Sequence, residues 1–175
     1  MHLKENKTYL NMEAIRVASD LNEKFFTESG GKLLTVKLSD QEYGIPILEA
    51  REVVGMQNID PVPKTPKFMK GVINLRGKII PVIDLRLKFG LNEKEVSKES
   101  CIVVVDILGA LTGIIVDQLI GVVTVNKEEY ESAPRLGNNI NAEFIMGMVK
   151  LEKRVIIVLK SEKVLNNDEL QLIAS

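Results

Sequence analysis

The chain has 175 residues, of which 45% are apolar and 27% are charged. Its 23 basic and 24 acidic residues give a net charge of −1 with the single histidine neutral. A chain of this size folds as one compact domain or as two small lobes with a common core. No block of like charge is long enough to attract DNA, RNA or an anionic membrane.

The apolar runs and the cysteine content indicate the compartment. The longest apolar runs are strand-sized, well below the roughly 20 residues that span a bilayer, so we expect no direct membrane insertion. The N-terminal stretch HLKENKTYLNMEAIRVASDL is too polar for a signal peptide. The single cysteine, Cys101, excludes an internal disulfide and fits a reducing compartment. We therefore expect a cytoplasmic protein.

Residues 1–30 differ in character from the rest and form an N-terminal extension. Ala14, Ala18, Leu21 and Phe25 recur at helical spacing, and Ser-Gly-Gly follows at 29–31. This pattern predicts a helix over about 10–27 that ends at glycine. At the other end, SEKVLNNDELQLIAS predicts a short terminal helix, and residues 166–175 are assigned to this C-terminal helix or tail.

Most of the remaining sequence predicts β-strands. Leu34, Val36 and Leu38 alternate with polar residues, which is typical of a half-buried strand. Residues 102–105 are continuously apolar, as in a strand covered on both faces.

The region 31–165 contains an internal repeat, with units at 31–92 and 99–165. Two blocks align, at offsets of 69 and 76 residues; the identical pairs are Val36/Val105, Gly44/Gly113, Ile45/Ile114, Val53/Val122 and Val54/Val123, then Phe68/Phe144, Gly71/Gly147, Leu75/Leu151, Ile80/Ile156 and Val82/Val158. Each copy of the second block starts with a helix-capping signal, Thr65-Pro66 or Asn141-Ala142, before a short helical turn that ends at the glycine. We infer two similar small β-barrels that pack together because neither buries much core alone, with a groove between them for a partner.

One hairpin carries an arginine at its tip. In KFMKGVINLRGKIIPVIDLRLKFG, two apolar runs flank the turn Arg76-Gly77. Gly77 supplies the positive φ of a tight turn, but the arginine is not needed for that. Its repeat counterpart is Glu152, so a requirement of folding does not explain it. A solvated loop charge is one interpretation of Arg76, and a directional contact to another protein is the other.

The sequence supports specific predictions for three further residues near this hairpin. Glu52, whose counterpart is Gly121, forms an ion pair with Arg76 if the first hairpin pairs with the NLRG hairpin; otherwise the two are independent exposed charges. Pro81 cannot donate to a ladder, so its strand is expected to be an edge or to carry a bulge there. Asp84 is expected to cap a helix or to form a salt bridge near Arg86.

The residue inventory does not support an enzyme. His2 is the only histidine and lies in the N-terminal tail, so no Ser-His, Cys-His or multi-histidine metal site can form. Cys101 begins an apolar strand and is expected in the core. No P-loop or GxGxxG pattern is present, and Glu128-Glu129 and Asp168-Glu169 are interpreted as solvated helix faces. We expect no cofactor and no metal.

The segment FMKGVINLRGKIIPVIDLRLKFG resembles the signature of CheW, the coupling protein family of bacterial chemotaxis. The resemblance extends from about residue 31 to 165, through YGIPILEAREVVG, CIVVVDILGALTGIIVDQLIGVV and FIMGMVKLEKRVIIVL. It implies two SH3-like five-stranded β-barrels around a shared core, with the first strand packing against the C-terminal half. It implies a non-catalytic adaptor that joins the cytoplasmic tip of transmembrane chemoreceptors to the regulatory domain of the histidine kinase CheA.

The same resemblance implies roles for individual residues. The receptor-binding groove would be lined by Glu52, Val53, Lys70, Arg76 and Ile79. The residues of the motif with a structural role would be Gly71, Asn74, Gly77, Pro81 and Asp84. Receptors would recruit the protein to the inner face of the membrane. Two departures are the long N-terminal extension and Lys160, where the family often has an aspartate after the last strand. The chain has no room for the receiver or ATP-binding domains of CheV or CheA.

A second function class is a barrel that binds single-stranded nucleic acid, since small barrels commonly do so. Only 5% of the residues are aromatic and there is no tryptophan. The stacking platforms and basic track of such proteins are therefore missing, and we expect no nucleic-acid partner.

Overall fold

A computed structural model describes residues 21, 23–107, 109–132, 143–165 and 169. The fold is mainly β, with two sheets and few helices, which confirms the expected class at that level. A helix, α1, covers residues 23–29, and α2 covers Leu85–Lys88. The strands are β1 (Gly31–Leu38), β2 (Gln41–Pro46), β3 (Ala50–Gly55), β4 (Met69–Leu75), β5 (Lys78–Asp84), β6 (Cys101–Ile107), β7 (Ala110–Val116), β8 (Gln118–Val125), β9 (Tyr130–Ser132), β10 (Ile145–Leu151) and β11 (Arg154–Leu159), and 3-10 turns lie at Lys127–Glu129 and Ser161–Lys163.

The strands exchange between the two halves of the chain. The six-stranded sheet has the order β8-β1-β2-β11-β10-β9, and the five-stranded sheet has the order β3-β6-β7-β5-β4. The first two strands therefore lie in the sheet of the second half, through antiparallel pairing of β1 with β8 and parallel pairing of β2 with β11. Over the described ranges, neither sheet closes by pairing its first strand with its last.

Corresponding hairpins in the two halves of the chain pair their residues in the same register. Leu38 pairs with Gln41 in the first half, and Ile107 pairs with Ala110 in the second, 69 residues later. The β4–β5 and β10–β11 hairpins have the same pairs 76 residues apart, including a bulge before Gly71 and before Gly147. The repeated sequence therefore produces the same hairpins twice.

Three apolar clusters stabilise the fold. The largest lies between the sheets and includes Val36 and Leu38 of one sheet and Val103 and Val105 of the other. A second cluster lies against the six-stranded sheet and a third against the five-stranded sheet. β6 alternates between two of them, since Val104 packs in the third cluster and its neighbours pack between the sheets. This arrangement accounts for the continuous apolar run at 102–105 and confirms burial on both faces.

Several local expectations require correction. The predicted N-terminal helix is seen only in part: residues 23–29 are helical, two residues past the predicted end, and residues 10–20 lie outside the described residues. Thr65 does not start a helix, because its hydroxyl donates to the carbonyl of Val62 and residues 67–68 form a turn. Of the predicted C-terminal helix, Ser161–Lys163 form a 3-10 turn, and residues 166–168 and 170–175 lie outside the described residues, as do Asn141 and Ala142. Glu169 is not solvated: its carboxylate accepts from the ammonium of Lys88 at 2.5 and 2.6 Å, and both side chains are nearly buried.

Pro81 lies in an interior strand, so the prediction of an edge was wrong. β5 is flanked by β4 and β7, and the bulge lies in β4 at Gly71. Proline is tolerated because its partner Val72 exchanges both backbone hydrogen bonds with Asp60 instead, at 2.9 Å each. Pairing with β7 starts only at Val82. No ladder bond therefore requires an N–H at position 81.

No helix among the described residues is long and apolar enough to cross a membrane.

Candidate functional site

The β4–β5 turn holds Arg76 in an unusual backbone conformation. Leu75 pairs with Lys78, so Arg76 and Gly77 form a two-residue loop. Their φ values are +52° and +84°, as in a type I′ turn, which needs positive φ at both positions. The side-chain oxygen of Asn74 accepts from the Gly77 N–H at 2.9 Å and holds the turn in place. The arginine is thus fixed on a rigid support.

Arg76 is joined to Glu52 by two hydrogen bonds. Its Nη1 donates to Oε2 at 3.2 Å, and its Nη2 donates to Oε1. The hydrogen bonds that Arg76 donates to Glu52 raise the pKa of the guanidinium above its ordinary value. The ion pair forms as hypothesised, but not by the expected pairing of hairpins, because β3 and β4 are the two outer strands of the five-stranded sheet. The sheet is therefore curved enough for side chains from its opposite edges to be in contact.

Val53, which follows Glu52 in β3, and Ile79 of β5 are exposed apolar side chains. Val53 is paired with Val103, a residue of the cluster between the sheets, and is 37% exposed. Ile79 is 64% exposed and shares a strand face with Ile83 of the same cluster. Both lie on the face of the five-stranded sheet that turns towards the other sheet, at positions the other sheet leaves uncovered. These two exposed side chains are here called the apolar rim.

The second half repeats the apolar rim but not the ion pair. Val122 and Val155, the counterparts of Val53 and Ile79, are 56% and 42% exposed. Glu52 and Arg76 are replaced by Gly121 and Glu152. The β10–β11 turn is also a two-residue loop, yet neither Glu152 nor Lys153 has a positive φ. The left-handed arginine is therefore specific to one half, and outliers of this kind concentrate at functional sites.

Lys70 and Gly71 lie at the other end of β4. The Lys70 ammonium donates to Oε1 of Glu93 at 2.8 Å, and both side chains are partly or largely exposed. Gly71 has a φ of +140°, and a Cβ there would lie 2.1 Å from the carbonyl oxygen of Asp60. Only glycine fits this bulge, so its role is structural.

Asp84 caps α2 as expected. Its Oδ1 accepts from the N–H groups of Arg86 and Leu87 at 2.9 and 3.3 Å. Sequence reasoning missed the cluster behind it, in which the buried Arg86 donates to Ser39 Oγ at 2.8 Å and to Asp117. The three residues come from distant parts of the chain, so no local pattern could have linked them.

The described residues offer little for catalysis. They contain no group of three or more His, Cys, Asp or Glu side chains placed to hold a metal ion. Cys101 is buried in the cluster between the sheets, as expected, and burial raises the pKa of its thiol. What the exposed surface does present is a fixed arginine–glutamate pair with an apolar rim, which suits contact with another protein.

Comparison with known proteins decides the family. The family model of the CheW-like domain matches residues 32–169. The chain belongs to the CheW-like family. It is 33% identical over 144 residues to the chemotaxis protein CheW of Klebsiella aerogenes, which covers 82% of this chain and 87% of the relative. It is 32% identical over 164 residues to CheW of Treponema pallidum, covering 91% and 94%.

A solved structure supports the same assignment. The crystal structure of the scaffolding protein TtCheW from Thermoanaerobacter tengcongensis superposes with a TM-score of 0.75 at 37% identity, over 80% of this chain and 97% of that one. CheW proteins are non-catalytic chemotaxis adaptors that act by interaction with other signalling proteins, and this chain is one of them.

Proposed function

We propose that this CheW-family chain couples the cytoplasmic tip of transmembrane chemoreceptors to the regulatory domain of the histidine kinase CheA, so that receptor state controls autophosphorylation. The protein would act in the cytoplasm, recruited to the inner face of the membrane through receptors. Each curved sheet with its own apolar cluster is interpreted as one of the two SH3-like barrels expected from the family resemblance.

The receptor-binding groove in this proposal is formed by Glu52, Val53, Lys70, Arg76 and Ile79. The observation that carries it is the Glu52–Arg76 pair, which bridges the edges of one sheet and has no counterpart in the other. Because the guanidinium is held at two points on a rigid turn, little side-chain freedom remains to be lost on binding. The exposed Val53 and Ile79 supply the apolar area of the proposed groove.

The test is binding of a purified receptor cytoplasmic fragment to Arg76→Ala. An anchor arginine predicts an affinity loss between about 5-fold and 150-fold with the fold retained. Arg154→Ala is the matched control, because Arg154 also pairs with a glutamate, Glu42, at the corresponding hairpin of the other half. Equal affinities of wild type and Arg76→Ala would refute the assignment of the groove.

Binding to the CheA regulatory domain provides a separate measurement. We place the kinase contact on barrel faces outside the receptor-binding groove, so Arg76→Ala should leave that affinity unchanged. A parallel loss for both partners would indicate that the variant is misfolded, which circular dichroism would then show.

A further inference from the structure

A loop after α2 crosses in front of Lys70. Residues 91–97, here called the strap, contain no helix or strand. One end is held by the Leu91 N–H, which donates to the Arg86 carbonyl at 2.9 Å, and the other by the Ser97 N–H, which donates to Ser100 Oγ at 2.9 Å. The middle is tied to β4 by the 2.8 Å contact between Glu93 and Lys70.

The strap covers a cavity rather than packed core. Glu93 and Val96 of the strap line a cavity of about 310 Å³, together with Lys70, Met56 and Ile59. Val96 is exposed. Little apolar contact would be lost if the strap moved, so its position depends mainly on the ion pair.

The ion pair is easily exchanged because it is exposed. The hydrogen bond from Lys70 lowers the pKa of Glu93 below its ordinary value, with a smaller effect from Lys67, so Glu93 is charged at neutral pH. Exposed pairs of this kind contribute little net stability. A carboxylate of a bound protein could replace Glu93 on the Lys70 ammonium without loss of packing.

Two further lysines lie near the Lys70–Glu93 pair: Lys67 acts on the Glu93 carboxylate, and Lys94 lines the same cavity as Lys70. Of the four acids that line this cavity, Glu93 is paired with Lys70, Asp117 with Arg86, Asp84 caps α2, and Glu95 is exposed. Any partner carboxylate that approaches Lys70 therefore meets Glu93 already in place.

We propose that Glu93 is a specificity-determining residue that competes, within the chain, with receptor carboxylates for Lys70. This inference rests on the proposed function, because it assigns Lys70 to the receptor-binding groove. Glu93 keeps Lys70 from acidic partners that cannot displace it and weakens binding by those that can, so the contact selects among receptors by the placement of their acidic residues.

The test is a comparison of affinities for a receptor cytoplasmic fragment, measured by fluorescence anisotropy at low and high salt. Glu93→Gln should bind about two- to five-fold more tightly than wild type at low salt, and the gain should shrink at high salt. Glu95→Gln is the control, because Glu95 is exposed on the same strap and has no ion pair among the described residues. It should bind like wild type.

A double-mutant cycle separates this mechanism from a general effect of charge. If Glu93 acts through Lys70, then Lys70→Met and Lys70→Met/Glu93→Gln should bind with the same weakened affinity. Unchanged or weaker binding by Glu93→Gln, or equal tightening by Glu95→Gln, would overturn the proposal.

The affinity of Arg76→Ala, measured in the same series, distinguishes failure of this inference from failure of the proposed groove. Loss of affinity in Arg76→Ala without a gain in Glu93→Gln would overturn this inference alone. No binding by wild type, or no effect of Arg76→Ala, would overturn the proposed groove and this inference with it.

Discussion

Gly71→Ala tests whether the bulge in β4 depends on glycine. Gly71 has a φ of +140°, and a Cβ placed there lies 2.1 Å from the carbonyl oxygen and 2.7 Å from the carbonyl carbon of Asp60. Both contacts are to backbone, so no side-chain rotation can relieve them. Asp60 is itself fixed by two hydrogen bonds to Val72, each 2.9 Å long.

The expected loss of stability has two parts. A non-glycine residue in a sparsely populated backbone conformation costs about 1–3 kcal/mol. Displacing Asp60 breaks or stretches two hydrogen bonds that contribute about 0.5–1.5 kcal/mol each. Together these effects lower the free energy of unfolding by about 2–6 kcal/mol. For a chain of this length that is a fall in Tm of at least about 4 °C.

Urea unfolding followed by circular dichroism measures this loss, and Gly77→Ala is the matched control. Gly77 also has a positive φ, +84°, but no heavy atom lies within 4 Å of the point that a Cβ would occupy there. Gly77→Ala should therefore lower the free energy of unfolding by the conformational cost alone, about 1–2 kcal/mol. Equal unfolding midpoints for the two variants would refute the argument that contact with Asp60 matters.

Three other variants or reactions test separate features. Arg76→Gly should keep or raise the Tm, because it relieves the left-handed conformation at φ +52°, while receptor binding weakens as in Arg76→Ala; a lower Tm would contradict this. Glu169→Gln should lower the unfolding free energy by about 2–4 kcal/mol in urea, because Lys88 would remain nearly buried without its carboxylate; wild-type stability would show that the pair is dispensable. Cys101 should react with a thiol reagent only at the rate of unfolding, since its thiol is buried and its pKa is raised; rapid labelling of the native protein would contradict its place in the core.

The hairpins could be predicted from the sequence because their signals are local. Alternation, turn residues and the two repeat offsets determine which neighbouring segments pair and in what register. The exchange of strands between the sheets could not be predicted in this way. The repeat makes β3 and β8 close equivalents, so the residues alone do not decide which of them lies beside β1 and which beside β6.

The candidate site was predictable in part for a similar reason. Asymmetry between the repeats identified Glu52 and Arg76, and the family signature supplied Val53, Lys70 and Ile79. Glu93 was missed, since it lies in a polar loop with no periodicity and its partner is 23 residues away. The pairing of Lys88 with Glu169 was missed because the two residues are separated by 81 positions and neither stands in a motif.

The backbone at Arg76 strengthens the case that the arginine is retained for binding. An L-residue in the left-handed region costs about 1–2 kcal/mol relative to glycine, and the loop of equal length in the other hairpin closes without any positive φ. An exposed ion pair offsets little of such a cost. A glycine or an asparagine at this position would fold at least as well, so stability does not explain the side chain. Its two hydrogen bonds to Glu52 instead fix the direction of the guanidinium before any partner arrives, which is what a recognition residue requires.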